Sequence, residues 1–332
     1  MRQSCRVIPA FAHTPQAPTG LSELLRATRT ISLQIPAHLV VDLTTAPNPC
    51  GLFDCLMSVA ISLIERRMTL HWHTEPFLLI SLLLVGWVYA LWIGPLRLRH
   101  SSPAPLQRWR IVCFYVGMVV IYMAVGSPID QIGESYLFSV HMFQHLLLMY
   151  VAPILIVLGI PPERFDATLQ VHPWLRLPLR WYLNPVLAAV LFTLILSLWH
   201  VPALYESALR NKTIHIVEHA TIMFFAFALF WFALSRSKTF PALQPGLRML
   251  LIFVLMVGQT PLFGVLSFSD QVLYPTYEWA PRITSLSALE DQILGGVLMK
   301  VGGMLFALPF FGMAFFSWAK SQENGIDNAP QP

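Results

Sequence analysis

From residue 76 onward, long apolar runs alternate with short polar connections, at roughly 76–94, 111–126, 137–158, 185–201, 215–234, 248–268 and 292–317. Each is about 16–26 residues long, which matches the length an α-helix needs to cross about 30 Å of hydrocarbon with some tilt. The pattern predicts an all-α, polytopic membrane bundle of seven transmembrane helices. The second run is the shortest. The fourth is bounded by Asn184-Pro185 and by His200-Val201-Pro202, which set helix limits at both ends.

Upstream the pattern changes. Residues 1–70 form an N-terminal extension read largely as loop, with Pro9, Pro15, Pro18, Pro36, Pro47 and Pro49 interrupting any apolar period. No early apolar stretch leads to a small-residue cleavage site, so a secretory leader is not expected. The run at 52–64 holds one aspartate and is too short for a span, which suits a helix lying in the membrane interface. Met68 offers an alternative start. Residues 71–318 then make the membrane domain, and 319–332 a tail.

Composition agrees with the pattern: 56% of residues are hydrophobic and only 11% charged, against about 25% charged in soluble domains. The net charge of +4 is spread through loops and supports neither a nucleic-acid patch nor acidic substrates. Cys5, Cys50, Cys55 and Cys113 include no CxxC pair. Cys113 falls inside the second span as a small core residue.

The loops give an orientation. Residues 95–110 carry four arginines and no acid, and residues 235–247 carry Arg236 and Lys238. On the other side, 127–136 has Asp130 and Glu134 without a base, and 269–291 has four acids against Arg282. The positive-inside rule puts the arginine-rich loops in the cytoplasm, the N-terminus outside and the C-terminus, with its tail, inside. Arg210 and Lys212, on the outer side, are a mild exception.

That orientation gathers the histidines. His71 and His73 precede the first span, His141 and His145 open the third, His200 closes the fourth, and His215 and His219 open the fifth. All fall at the outer boundary, as do Asp291 and Gln292 at the start of the seventh span. The third and fifth spans share the motif H-x-x-[QE]-H-x-x-x-M, as His141, Gln144, His145, Met149 and as His215, Glu218, His219, Met223. Offsets of four and eight keep both histidines and the methionine near one helix face, the methionine about 12 Å deeper along the axis. If the two helices meet, four imidazoles and two thioethers line one cleft, with Gln144 and Glu218 at matching places to orient a ring or meet the opposite helix.

Imidazole binds several transition metals and thioether favours Cu(I), so the set suits copper better than calcium or magnesium, which need oxygen ligands. Haem is the competing ligand, because facing imidazoles can hold iron. Metal-free interhelical hydrogen bonding and methionine as bundle filler are the plain alternatives. His200 is either a further ligand or a polar helix end. Glu218 is a proton carrier or a partner to the histidines. In LEDQILGGVLMKVGGMLF, Gly295-Gly296 and Gly302-Gly303 allow close helix contact. Lys300 lies between them, too deep to reach water easily, and calls for a buried carboxylate or a cavity. No Walker motif, dinucleotide fingerprint, HExxH pair or serine elbow appears, so no enzyme is expected.

The blocks HMFQHLLLMYVAPILIVLGIPP, NPVLAAVLF with SLWHVPALY, HIVEHATIMFFAF and DQILGGVLM resemble, from about Glu75 to Phe316, the multi-span CtaG family of cytochrome c oxidase assembly factors associated with the caa-type oxidase. The family's paired histidines fall on His141 and His145 and on His215 and His219. Its Trp-His-x-Pro element falls on Trp199, His200 and Pro202, and its Asp-Gln-x-x-Gly-Gly element on Asp291, Gln292, Gly295 and Gly296. Lys300 departs from the aromatic that commonly follows. The resemblance implies a bacterial cell-membrane protein that helps make an active haem-copper oxidase. Its implied partners are oxidase subunits or their assembly intermediate and a copper donor protein. The implied role is presenting copper or stabilising an intermediate as a metal-free scaffold. A copper transporter and a haem-dependent membrane redox protein are the other functional classes; the first would need a polar or Met-lined path across the whole bilayer, whereas the deeper spans are rich in Leu, Phe and Val.

Overall fold

The computed structural model describes Trp72, residues 76–94 and residues 107–327. The expected interfacial helix at 52–64, the rest of the N-terminal extension, His71, His73 and most of the arginine-rich loop lie outside the described residues.

Among the described residues the fold is all-helical apart from one isolated bridge. The helices are α1 (Pro76–Ile93), α2 (Arg108–Val125), α3 (Pro128–Ser135), α4 (Phe138–Gly159), α5 (Pro162–Val171), α6 (Arg176–Tyr182), α7 (Pro185–Trp199), α8 (Pro202–Arg210), α9 (Lys212–Leu234), α10 (Pro245–Gly258), α11 (Thr260–Phe268), α12 (Pro275–Glu278) and α13 (Ala288–Asp327). Proline opens many of them, where its missing N–H costs nothing and its fixed φ favours the first turn. Ser127, Asn184 and Asn211 cap α3, α7 and α9 by accepting from Ile129, Leu187 and Thr213 backbone N–H groups.

Six helices are long and apolar enough to cross a membrane, and the count is seven if a bent pair is one span. That pair is Pro173–Tyr182 followed by Pro185–Trp199, bent by 54° at the Asn184-Pro185 joint. The fourth span decides the count, because α7 alone, with 15 residues, rises only about 22 Å. The connections are less loop-like than the hydrophobic pattern implies: α3, α5, α6 and α8 are helices of 7–10 residues, each too short to span alone. The seventh helix runs on to Asp327, so residues 319–327 of the expected tail continue it.

α4 is the central helix. Its first half packs against α13, where a Cβ on Gly295 would stand 2.3 Å from Phe138 and one on Gly302 would stand 2.6 Å from Leu146. Both glycine pairs of α13 therefore serve close packing. The second half of α4 packs against α2, with Gly117 against Ile156 and Gly159 against Phe114. Tyr89 ties α1 to this side, stacked on Phe114 at 3.6 Å and donating to Gly159 O at 2.8 Å. α7 and α9 complete the core, through Phe192, Leu196, Ile222 and Leu229.

A π turn, Leu147–Val151, interrupts α4. Pro153 has no N–H to give to Met149 O, and the chain accommodates this with a wider turn in which Ala152 N bonds Leu147 O. The extra residue rotates everything after Leu147 away from the face carrying His141 and His145.

Candidate metal centre

Two capping arrangements hold the histidine pairs. The α4 N-cap residue, Leu137, has no side-chain acceptor, and Asp291 of α13 supplies one from across the bundle. Its carboxylate accepts from Phe138 N at 2.7 Å, Ser139 N at 3.3 Å and Ser139 Oγ at 2.5 Å. A carboxylate at a helix N-terminus also meets the positive end of the dipole. Gly133 of α3 lies against the His141 backbone, where a Cβ would come within 3.0 Å. On α9, Asn211 Oδ1 accepts from Thr213 and Ile214 N–H groups just ahead of His215.

These helix ends bring together His141, His145, His200, His215, His219 and Glu218, all buried. His141 is the hub, its ring centroid 4.5 Å from His145, 5.5 Å from His215 and 5.6 Å from His219. His145 lies 5.0 Å from His219 and 5.8 Å from His200. The Nε2 atoms of His141 and His145 are 2.9 Å apart, so one donates to the other. Glu218 Oε1 stands 3.6 Å from His145 Nε2 and 4.0 Å from His141 Nε2.

The hydrogen-bonding account of the cluster does not close. His141 Nδ1, His145 Nδ1, His215 Nε2, His219 Nε2 and both Glu218 oxygens are buried without a partner. Leaving one such group unsatisfied costs about 1–3 kcal/mol, and more for a charged one. His141, His215, Glu218 and His219 each present one ligand atom, all within 4.8 Å of one another. Donors around a four-coordinate ion at about 2.0–2.1 Å are roughly 3.4 Å apart, so closing on an ion asks for side-chain movements of about 1 Å. The donor set, imidazole nitrogens with one carboxylate, is that of copper, zinc or iron rather than calcium or magnesium.

The cluster has an acidic rim. Glu134 Oε1 bonds His215 Nδ1 at 2.6 Å and is itself part exposed, and Asp130, Glu134 and His215 form a second group with ligand atoms within 4.8 Å. Burial, and then the Glu134 charge, push the Asp130 carboxyl up to about 7, against the opposing pull of His215 and Gln144. Gln144 serves this rim: its Nε2 donates to Ala124 O at 3.0 Å and Asp130 Oδ1 at 2.5 Å. It therefore does not match Glu218, which faces the imidazoles. Three tyrosines close the other side. Tyr205 sits 5.3 Å from the His141 ring and its hydroxyl is 3.0 Å from that of Tyr277. Tyr277 donates to Gly133 O at 2.7 Å, and Tyr274 to His200 O at 2.9 Å.

The remaining predicted residues divide. His200 is at the cluster edge, its Nδ1 on Leu196 O at 2.7 Å and its Nε2 3.5 Å from Met142 Sδ. Within the π turn, Met149 lines an apolar cavity with Phe192 and Leu229. Met223 packs half-buried against the core of Phe114, Leu148 and Ile156. The thioether placed beside an imidazole is thus Met142's. Gln292 binds the 269–273 segment by accepting from Leu273 N at 2.7 Å and donating to Leu266 O and Gln271 O. Lys300 meets a cavity, not a carboxylate. Between His71 and His73, Trp72 stacks on Tyr122, near the end of α2. His172 ends α5 and is exposed.

Sequence reasoning missed Met142, Asp130, Glu134 and the tyrosines. The two acids stand four apart in PIDQIGES, where α3 presents both to the histidine pairs; in sequence they counted only as loop charge. The tyrosines come from α8 and from the segment before α13, and nothing local in the sequence relates them.

Compared with known families, residues 87–321, more than two-thirds of the chain, match the family model described as cytochrome c oxidase caa3 assembly factor. No curated protein and no solved structure matches the chain.

Proposed function

Because the chain belongs to the cytochrome c oxidase caa3 assembly factor family, we propose that it helps build a haem-copper oxidase by holding copper in the cluster of His141, His145, His215, His219 and Glu218. The observation that carries this reading is the convergence of His141, His215, His219 and Glu218, whose ligand atoms lie within 4.8 Å of one another, each residue having a buried polar atom without a hydrogen-bond partner. A cation is the ligand such donors suit, and copper is the metal an oxidase of this kind needs at its redox centres. His200 and Met142 stand ready as outer donors, the thioether favouring Cu(I). Glu134, part exposed on His215, is the proposed point of entry.

With the N-terminus outside and the arginine-rich loops inside, the cluster faces the outer side of the cell membrane. There it would receive copper from a donor protein and pass it to an oxidase subunit or assembly intermediate. Transport across the bilayer is less favoured, since Met142, Leu146, Phe192 and Ile222 fill the core around and beyond the cluster. Haem is less favoured too: the apolar cavity between the helices that Lys300 lines has no histidine in its wall.

The test is copper content of the full chain, purified after copper loading, beside a His145→Ala/His219→Ala variant of unchanged helical content. The expected result is about one copper per wild-type chain and its loss in the variant, with oxidase activity in cells falling in parallel and a His172→Ala control unaffected. Equal copper in both proteins would remove the cluster as the site. Copper in neither would leave a metal-free assembly scaffold.

A further inference from the structure

Partway along α13 a lysine stands in an otherwise apolar stretch. Lys300 Nζ donates to Met256 O at 2.7 Å and Thr260 Oγ1 at 2.8 Å. Met256 O lies in the last turn of α10, which ends at Gly258, and it also accepts from Thr260 Oγ1 at 3.2 Å. The two bonds occupy two of the three ammonium N–H groups and bring no negative charge. Among the described residues no carboxylate lies within ion-pair distance of Lys300. A cation within a span ordinarily has a counter-charge or a polar cavity.

Lys300 also lines an open-mouthed cavity between α4, α7, α9, α10 and α13. Its walls are apolar, formed by Phe192, Leu229, Phe230, Ile252 and Phe310. Its polar groups gather at one place: Lys300, Gln259 and Tyr150, whose hydroxyl makes only a long 3.5 Å bond to Gln259 Oε1. Gly303 keeps that place open, since a Cβ there would stand 2.8 Å from the Tyr150 hydroxyl. Met304, at 36% exposure, stands at the lipid-facing rim. The site is apart from the histidine cluster: Lys300 lies nine residues beyond Asp291 on α13, about 13.5 Å along the helix.

We infer that this cavity binds a long-chain carboxylate from the bilayer, with its acyl tail along the aromatic wall and its head on Lys300. The unpaired ammonium selects an anion over a neutral carbonyl, and the neighbouring Tyr150 and Gln259 can donate to the second carboxylate oxygen. The depth selects a single-chain amphiphile, because a phospholipid keeps its headgroup at the interface while a free carboxylate is small enough to be drawn to the lysine.

Equilibrium binding of radiolabelled palmitate to the detergent-purified full chain tests this. Saturable binding near one palmitate per chain is expected, at least tenfold weaker in Lys300→Met, which removes the charge, and in Ala307→Phe, which fills the cavity from its wall. Palmityl alcohol should compete at least tenfold less well than palmitate, and phosphatidylglycerol no better than the alcohol. The His145→Ala/His219→Ala variant should bind palmitate like wild type, which separates this site from the copper reading. Unsaturable binding, binding unchanged in either cavity variant of wild-type helical content, or competition by the alcohol or the phospholipid equal to that of palmitate would each overturn the inference.

Discussion

α4 and α9 carry the same motif and use it differently. Both place two histidines four residues apart at the helix start, and in both the histidines turn inward to one cluster. The residue three after the first histidine takes opposite directions: Glu218 enters the cluster with both oxygens unpartnered, whereas Gln144 leaves it to bond Ala124 O and Asp130. The methionine four after the second histidine leaves in both helices, on α4 at the π turn that precedes Pro153 and on α9 because that face meets Phe114, Leu148 and Ile156. A motif therefore specifies a helix face only over the turn in which the helix stays regular, and the neighbours decide what each face meets.

The largest expected difference lies between Glu218 and Gln144. Glu218→Gln should weaken copper binding by about 10- to 100-fold, the usual cost of losing a carboxylate that serves a metal site, while leaving the fold intact or steadier. Gln144→Leu should leave copper stoichiometry unchanged but lower stability by about 1–3 kcal/mol, since Ala124 O loses a buried donor. Copper titration and thermal unfolding of both variants check the pair. Equal copper affinities for Glu218→Gln and wild type would place the carboxylate outside the metal site.

A smaller effect separates the methionines. Met142→Leu should reduce Cu(I) affinity several-fold by removing the thioether 3.5 Å from His200 Nε2, with Cu(II) affinity barely moved. Met149→Leu and Met223→Leu should leave both affinities alone. A loss of Cu(I) binding confined to either of these last two variants would reinstate the deeper methionines as ligands.

The smallest effect belongs to a carboxylate that is the opposite of Glu218, outside the spans and fully used. Burial alone would raise the Asp166 carboxyl, but donors from Ser237 Oγ, Lys238 N and Thr239 N outweigh it and hold it below the usual range. A folded-state value below the unfolded one, about 3.9, means that the unfolded chain binds more protons in that window. Its stabilisation is therefore complete above about pH 4 and is lost as pH falls through the folded value. Asp166→Asn should lower stability at neutral pH by well under ~1 kcal/mol, given how exposed the site is, and the two proteins should converge in acid. Thermal unfolding across pH 3–7 reads this. A gap that widens in acid would contradict it.

Much of this was legible before any coordinates, for a physical reason: a span must satisfy its own backbone, so apolar length alone announces a transmembrane helix. Six of the seven expected runs correspond to long helices, and the seventh is the one flanked by Asn184-Pro185. The histidines were legible because four-residue spacing survives in any regular helix. Met142 was not, because its neighbour on another helix gives it meaning. Asp291 read as functional chemistry from its position, whereas its three hydrogen bonds make it the cap of a helix 153 residues earlier in the chain. Pro153 was visible throughout, yet a proline inside a span can yield a kink, a break or a π turn, and the sequence alone does not distinguish them.

The central claim is that copper is held by imidazoles converging from α4 and α9. X-ray absorption at the copper edge of the loaded full chain tests it most directly. Three or four nitrogen or oxygen ligands at about 2.0 Å, with imidazole scattering and at most one sulfur, is the predicted first shell. A shell dominated by sulfur, or one unchanged when His145 and His219 are both replaced, would contradict the account.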